Sequence, residues 1–169
     1  MAELVDVIDE KGRVVKTLPR AEVNARNLRH NCVYVIVTNS RGEWLVTKRT
    51  AMKKVYPNLL EVARGGTCAS GESFEECARR ELEEEVGVRA GKGGAKLEFL
   101  FDFDFKDEFI NERVRVFKCV YDERAGPLKL QKEEVAASFF ATEEKLRRMA
   151  RETPQAFCPD SFPVLNGLK

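Results

Sequence analysis

The segment from Ser73 to Gly87 carries the signals for both of its own ends and breaks the rules of an amphipathic helix between them. Ser73 followed three residues later by Glu76 is a capping box, and Gly87 stands where a left-handed residue closes a helix. At roughly 100° per residue around that helix, Phe74, Cys77, Ala78 and Leu82 define one apolar face, while Glu76, Arg79, Arg80 and Glu83 spread over the opposite side. Glu81 and Glu85 fall in the middle of the apolar face, and Glu84 falls on its edge. Carboxylates this close repel one another, and burying them without a partner costs several kcal/mol each or forces protonation. Such a face can meet a core only where something cationic waits, and a cluster of hard oxygens selects Mg²⁺ or Mn²⁺ over metals that prefer thiolates. Arg80, away from that face, is placed to orient a neighbouring carboxylate by bidentate contact. The competing reading is a solvated acidic helix with surface ion pairs. It fares worse here, because the charges occupy the apolar stripe.

The 169 residues suit one domain, 1–169, with no repeat, low-complexity segment or linker to divide it. Lys and Arg together number 29 against 28 for Asp and Glu, so the overall charge points to no nucleic acid, though it leaves room for a small anionic substrate. No stretch is apolar for long enough to cross a bilayer, and the opening MAELVDVIDE is acidic where a signal peptide would be basic and then apolar. The five cysteines are odd in number, widely spaced and without a C-x-x-C pair, which reads as free thiols in a reducing cytoplasm.

Alternation around Glu10-Lys11-Gly12 predicts a short hairpin over Glu3–Val15, and Ala21–Leu28 reads as a helical turn. Asn31–Thr38 and Glu43–Lys48, either side of Asn39-Ser40-Arg41-Gly42, predict the clearest hairpin in the chain. Thr50–Asn58 reads as a polar, basic loop and Leu59–Ala63 as a short strand. Past the helix and a flexible Arg89–Gly94 loop, Lys96–Phe105 and Glu112–Tyr121 alternate as strands. Thr142–Arg151 reads as a second helix with Leu146 and Met149 on one side, and Pro154–Leu165 as an aromatic, proline-containing loop.

From Gly66 to Val88 the chain reads G-T-C-A-S-G-E-S-F-E-E-C-A-R-R-E-L-E-E-E-V-G-V, which resembles the Nudix box, G-x5-E-x7-R-E-U-x-E-E-x-G-U with U aliphatic, at every defined position. The resemblance implies an α/β fold, the Nudix α/β/α sandwich with a mixed β-sheet between helices, and a metal-dependent pyrophosphohydrolase acting on a small-molecule diphosphate. It implies Glu81, Glu84 and Glu85 as ligands of Mg²⁺ or Mn²⁺, the carbonyl of Gly65 or Gly66 as a further ligand, and Glu72 with Arg80 as the supporting pair that fixes the loop against the helix. In such enzymes metal ions offset the charge that builds on the bridging oxygen while water attacks phosphorus. The general base stays open between Glu81, Glu85 and a carboxylate outside the box. Glu112 is the preferred outside candidate, with Glu133 and Glu134 next; for each of the three a surface carboxylate is the competing reading. Homodimers are common in the family.

The remainder of the chain is similar to the type 1 isopentenyl-diphosphate isomerases and hydrolases close to them, through V-D-V-I-D-E-K-G-R-V, His30, N-S-R-G-E-W-L-V-T-K-R-T, Asn111-Glu112, and Thr153-Pro-Gln-Ala-Phe-Cys-Pro159. In register with Gly71-Glu72, the isomerase cysteine falls on Gly65 and its histidine on Thr67, with Cys68 three residues off. The thiol and the histidine are lost while every box glutamate is kept, so hydrolysis is the expected reaction, with the isomerase and a non-catalytic nucleotide-binding module as alternatives. His30 matches an isomerase metal ligand or is a capping or packing residue. Lys48, Arg49, Lys53 and Lys54 either collect substrate phosphates or form a solvated loop. Trp44, Phe157 and Phe162 either wall the pocket or pack the core.

Overall fold

β-branched and aromatic side chains pack well on a pleated surface, and the run of them between His30 and Thr38 becomes the central strand. The computed structural model describes residues 2–90 and 94–168. In chain order the elements are β1 (Leu4–Ile8), β2 (Val14–Pro19), α1 (Arg20–Ala25), β3 (His30–Thr38), β4 (Trp44–Arg49), β5 (Leu60–Glu61), β6 (Arg64–Thr67), α2 (Phe74–Val86), β7 (Leu97–Lys106), β8 (Asn111–Val120), β9 (Val135–Ala141), α3 (Glu143–Glu152) and α4 (Ser161–Gly167). Single 3₁₀ turns stand at Glu123–Ala125 and Pro154–Ala156.

Among the described residues, nine strands join one mixed sheet. On one edge β3 runs parallel with β8, from His30↔Glu112 to Thr38↔Val120, and on the other it pairs antiparallel with β6, from Cys32↔Thr67 to Val35↔Arg64. β7 continues the sheet beyond β8, and β1 joins β3 at Val7↔His30 and brings β2 with it. β4 pairs with β5 and β9. Among the described residues β3 and β4 share one ladder pair, Thr38↔Trp44, so the expected hairpin is a turn whose strands then diverge. The turn itself is closed by Gly42 N–H to Asn39 O and Asn39 N–H to Glu43 O. Beyond it, β6 takes the edge of β3 and β5 takes the edge of β4 along which the hairpin would have continued, so strand pairing outweighs local chain proximity.

The sheet is buried on both faces, as an α/β/α sandwich requires. Val33, Val35, Val37, Leu45, Phe117 and Cys119 meet Cys77, Ala78, Leu82 and Val86 of α2 on one side. Cys32, Ile36, Trp44, Val46, Val114 and Val116 meet Leu146 and Ala150 of α3, Phe157, and Val164 and Leu165 of α4 on the other. A smaller cluster of Val5, Val7, Leu18 and Val23 seats α1 on the β1–β2 hairpin. The α2 ends form as read: Ser73 Oγ accepts from Glu76 N–H at 3.2 Å, Glu76 Oε2 accepts from Ser73 N–H at 2.9 Å, and Gly87 adopts φ 71°.

Three further readings need correction, and one strand was not read at all. The strand expected over Leu59–Ala63 shrinks to β5, and a further strand, β6, follows it, because the chain crosses at Val62-Ala63 from the β4 side of the sheet to the β3 side. The Pro154–Leu165 loop contains a 3₁₀ turn and α4, whose Val164 and Leu165 are drawn into the core. β9 was not foreseen, since V-A-A-S-F-F-A lacks strict alternation and becomes a strand through the partner β4 supplies. The first hairpin runs on to Pro19. Residues 91–93 of the expected Arg89–Gly94 loop lie outside the described residues. Among the described residues no helix is long and apolar enough to cross a membrane.

Leu82 is fully buried where α2 meets the sheet. Leu82→Ala is expected to destabilise the fold by about 3 kcal/mol through lost transfer energy and the cavity left behind. The shift of the urea unfolding midpoint at unchanged slope measures it.

Candidate active site

Among the described residues β6 pairs with β3 alone, which leaves its outer edge open. At that edge the Gly65 N–H donates to Glu85 Oε2 at 3.2 Å. Gly66 turns toward α2, and a Cβ there would stand 2.8 Å from Glu81 Oε1, so any side chain would displace that carboxylate. Gly65 has φ 155°, and a Cβ on it would collide with the Val33 carbonyl oxygen. Two consecutive glycines are therefore what lets the acidic helix close onto the strand.

Arg80 locks this arrangement. Its Nε and Nη2 donate to Glu72 Oε1 and Oε2 at 2.9 Å each, and Nη2 also reaches the Thr67 carbonyl at 3.1 Å. Nη1 donates to Glu81 Oε1 at 2.7 Å and to Glu84 Oε2 at 3.3 Å. Glu72 Oε2 accepts from Ala69 N–H at 2.9 Å, so one carboxylate ties loop and helix together, as the sequence reading expected of the pair. Glu81 is 7% exposed, and burial raises its carboxyl above the ordinary value in spite of Arg80. Burial, with the charges of Glu61, Glu81 and Glu134, pushes Glu85 up to about 8 against the pull of Arg64. Buried carboxylates driven toward protonation, beside Glu84 and the Gly65-Gly66 carbonyls, form a set of hard oxygens short of positive charge. That donor set fits a divalent cation such as Mg²⁺ or Mn²⁺. The Gly66 carbonyl also lies 3.7 Å from the Cys77 thiol.

A second group stands in the same cleft. Glu61 accepts from Arg49 Nη1, and from Arg64 Nη1 at 2.8 Å, while Arg49 Nε donates to the Val55 carbonyl at 3.1 Å. Burial would raise Glu61, but Arg64 and Arg49 hold it below the ordinary carboxylate value. Glu112 is 8% exposed and is pushed up to about 7 by burial and by the charge of Asp160, against hydrogen bonds from Cys32 and Tyr34. His30 Nδ1 lies 2.8 Å from the Leu28 carbonyl, and its Nε2 lies 3.4 Å from Thr67 Oγ1 and 3.9 Å from Glu112 Oε1. His30 is buried, and burial lowers its pKa and keeps the ring neutral.

The cleft has a volume of about 1160 Å³, and Glu81, Glu84, Glu85, Arg80, Gly65, Gly66, Glu112, Arg49, Lys53 and Lys54 all line it. Arg49 is engaged by Glu61, and Lys53 Nζ donates to Glu134 Oε1 at 3.0 Å. Glu134 lines the cleft, whereas Glu133 and Lys48 are exposed outside it. Trp44 and Phe157 are core residues, and Phe162 packs beside them. The sequence reading missed Tyr34, Glu61, Arg64 and Asp160 as cleft residues. Glu61 and Arg64 bracket the apolar Val62-Ala63, a hint that charge is being buried there in pairs; Tyr34 and Asp160 carry no such local signal.

The profile of the NUDIX domain matches residues 28–160. An uncharacterised Nudix hydrolase of Pseudomonas aeruginosa is 37% identical over 164 residues, covering 97% of this chain and 92% of that protein. One of Streptomyces coelicolor is 38% identical over 168 residues, covering 99% and 88%. The crystal structure of DR0079 from Deinococcus radiodurans superposes with a TM-score of 0.78 at 25% identity, covering 96% of this chain and 97% of that one.

The raised carboxyls give a signed pH dependence. Glu85 at about 8 and Glu112 at about 7 both lie above the 4.5 of a free glutamate, so the folded state binds protons more tightly than the unfolded state. Their contribution is complete below that free value and is lost as pH rises through 7 to 8. In chelator, the melting temperature is expected to fall between about pH 5 and about pH 8. Added Mg²⁺ is expected to reverse most of the fall, and Glu85→Gln to flatten it; a variant with the wild-type slope would contradict this account.

Proposed function

The chain belongs to the Nudix hydrolase family, whose enzymes cleave pyrophosphate bonds, and from that premise we propose that it hydrolyses a nucleoside-diphosphate-linked or related organic diphosphate with the help of Mg²⁺ or Mn²⁺. The observation that carries this reading is that Glu81 and Glu85 meet the open edge of β6 while Glu84, linked to Glu81 through Arg80, lines the same cleft, which has room for a small molecule. In this reading those three carboxylates hold the cation, with a carbonyl of Gly65 or Gly66 as a further ligand. Arg80 and Glu72 set their positions. A divalent cation held there would supply positive charge to offset that of the diphosphate.

The chain's own residues do the rest. Lys53 and Lys54 attract the phosphate charge, with Arg49 held behind them by Glu61. Burial around Glu81 and Glu85 keeps bulk water from competing for these charges. Glu112, in the same cleft and with its carboxyl near neutrality, handles the proton of the attacking water. Five buried, unpaired thiols suit a reducing compartment such as the cytoplasm.

The test is a screen of nucleoside triphosphates, dinucleoside polyphosphates, nucleotide sugars, coenzyme A, NADH and isoprenoid diphosphates with Mg²⁺ or Mn²⁺, scoring phosphate release. Glu84→Gln is the variant of choice, because the Glu84 side chain is 53% exposed and its change leaves the core intact. Turnover of whichever compound is cleaved is expected to drop by about 10²- to 10³-fold. Wild-type turnover in that variant would remove the cation assignment. Isomerisation of isopentenyl diphosphate, with no hydrolysis of any compound, would replace the hydrolase reading with the isomerase.

A further inference from the structure

Tyr34 reaches from β3 into the cleft, and its hydroxyl oxygen stands between two carboxylates from distant parts of the chain. It lies 2.6 Å from Asp160 Oδ2, just ahead of α4, and 3.1 Å from Glu112 Oε2 on β8. Register explains the first half of this meeting. Tyr34 lies four pairs along the parallel β3–β8 ladder from His30↔Glu112, an even number, so both side chains emerge on the same face. Asp160 arrives on the helix that packs against that face.

A phenol has one proton to donate. The shorter contact gives that proton to Asp160, which leaves the Tyr34 lone pairs facing Glu112. Two oxygens at 3.1 Å with no proton between them repel, so the contact is favourable when Glu112 carries a proton and donates it to Tyr34. The chain is then Glu112 O–H to Tyr34 O–H to Asp160 carboxylate. Moving each proton one oxygen along breaks the Glu112 and Tyr34 O–H bonds and forms new ones on Tyr34 and Asp160. Glu112 becomes the carboxylate, Asp160 the acid, and the total charge does not change.

We propose that Glu112 and Asp160 hold one proton between them through Tyr34, and that this linked pair is the acid–base group of the cleft, with Tyr34 and Asp160 as positioning residues for Glu112. The use of the proton rests on the hydrolase reading; its sharing does not. In the state with Asp160 protonated, the Glu112 carboxylate takes a proton from the water that attacks phosphorus. The pair then returns to one shared proton by releasing the other to the phosphate that leaves.

The surroundings favour a single proton on the pair. Facing Glu112 are His30 and Cys32 of β3, with Arg20 of α1 at longer range. Facing Asp160 are Glu61 of β5, Arg49 of β4, Arg64 of β6 and Tyr56. His30 is engaged at Nδ1 by the Leu28 carbonyl, and burial holds it neutral. Burial and the charge of Glu61 raise Asp160 to about 6 despite Tyr34, Arg49 and Arg64, while burial and the charge of Asp160 raise Glu112 to about 7. Two carboxylates in such surroundings titrate as a pair.

The experiment is a carboxyl carbon-13 NMR titration of the full chain labelled at Glu and Asp, with Glu112→Gln identifying the Glu112 resonance. In wild type, Glu112 is expected to titrate in two steps that Asp160 mirrors. In Asp160→Asn it is expected to titrate in one step, lower by about one pH unit or more, because a like charge has gone. Tyr34→Phe keeps the ring and removes the link, so the steps of the two carboxyls are expected to separate. For a diphosphate that wild type cleaves, kcat is expected to fall about 10-fold or more in both variants with KM within about twofold. An unchanged Glu112 titration in Asp160→Asn, or a kcat within twofold of wild type in both variants, would overturn the proposal. If wild type cleaves no diphosphate, the hydrolase reading fails by itself, and the titration still decides whether the proton is shared.

Discussion

Glu81 has to lie against Gly66 with its charge largely out of water, and much of the molecule is arranged around that demand. A carboxylate on the inner face of a helix is tolerated only if the opposing strand leaves space and a cation stands near. Gly66 provides the space, and Arg80 provides part of the charge from one residue away on the same helix. Arg80 can do this because Glu72 holds both arms of its guanidinium in a two-bond fork, which is a more specific contact than a single surface ion pair. Glu72 in turn ends the loop, directly before the capping box that begins α2. The caps, the glycine pair and the Arg80 clamp are therefore one device for presenting acid to the edge of a strand.

The location of that edge explains why the cleft draws on both faces of the sheet. Alternate residues of β3 point opposite ways. Val33, Val35 and Val37 pack under α2, while Cys32 and Ile36 pack under α3 and α4, with Tyr34 beside them. The acidic helix belongs to the first face, and Tyr34, Glu112 and Asp160 to the second. They can share a cleft because β6 is short and presents two glycines, so no side-chain wall separates them there. The Arg49–Glu61–Arg64 group then ties β4, β5 and β6 together at the same place and balances charge that the acidic residues would otherwise leave unpaired.

Local signals were legible wherever the chain had to satisfy itself over a few residues. The ends of α2 and the face carrying Glu81 and Glu85 follow from spacing, because helix geometry converts sequence separation directly into angle, while the Glu72–Arg80 pair came only with the resemblance to the family box. The β7 and β8 strands emerge within a residue or so of their expected limits because alternation on a half-buried strand is equally local. The β3–β4 hairpin is the instructive failure. Its turn is written in the sequence, but past the turn the facing edges of its two strands are taken by β6 and β5, which come from further along the chain. α4 and β9 escaped for the same reason: each is short and weakly patterned, and its form comes from what it packs or pairs against.

By itself the sequence determined the acidic helix, its caps, the carboxylates on its inner face and the family box, since all of these are properties of one continuous segment. Only the tertiary structure decided that Arg49 is bound to Glu61, that Lys53 is paired with Glu134, and that Tyr34 bridges Glu112 and Asp160. Those meetings depend on strand register and on where α4 docks. Register is set by the fit of whole faces against each other, a quantity that no short stretch of residues contains.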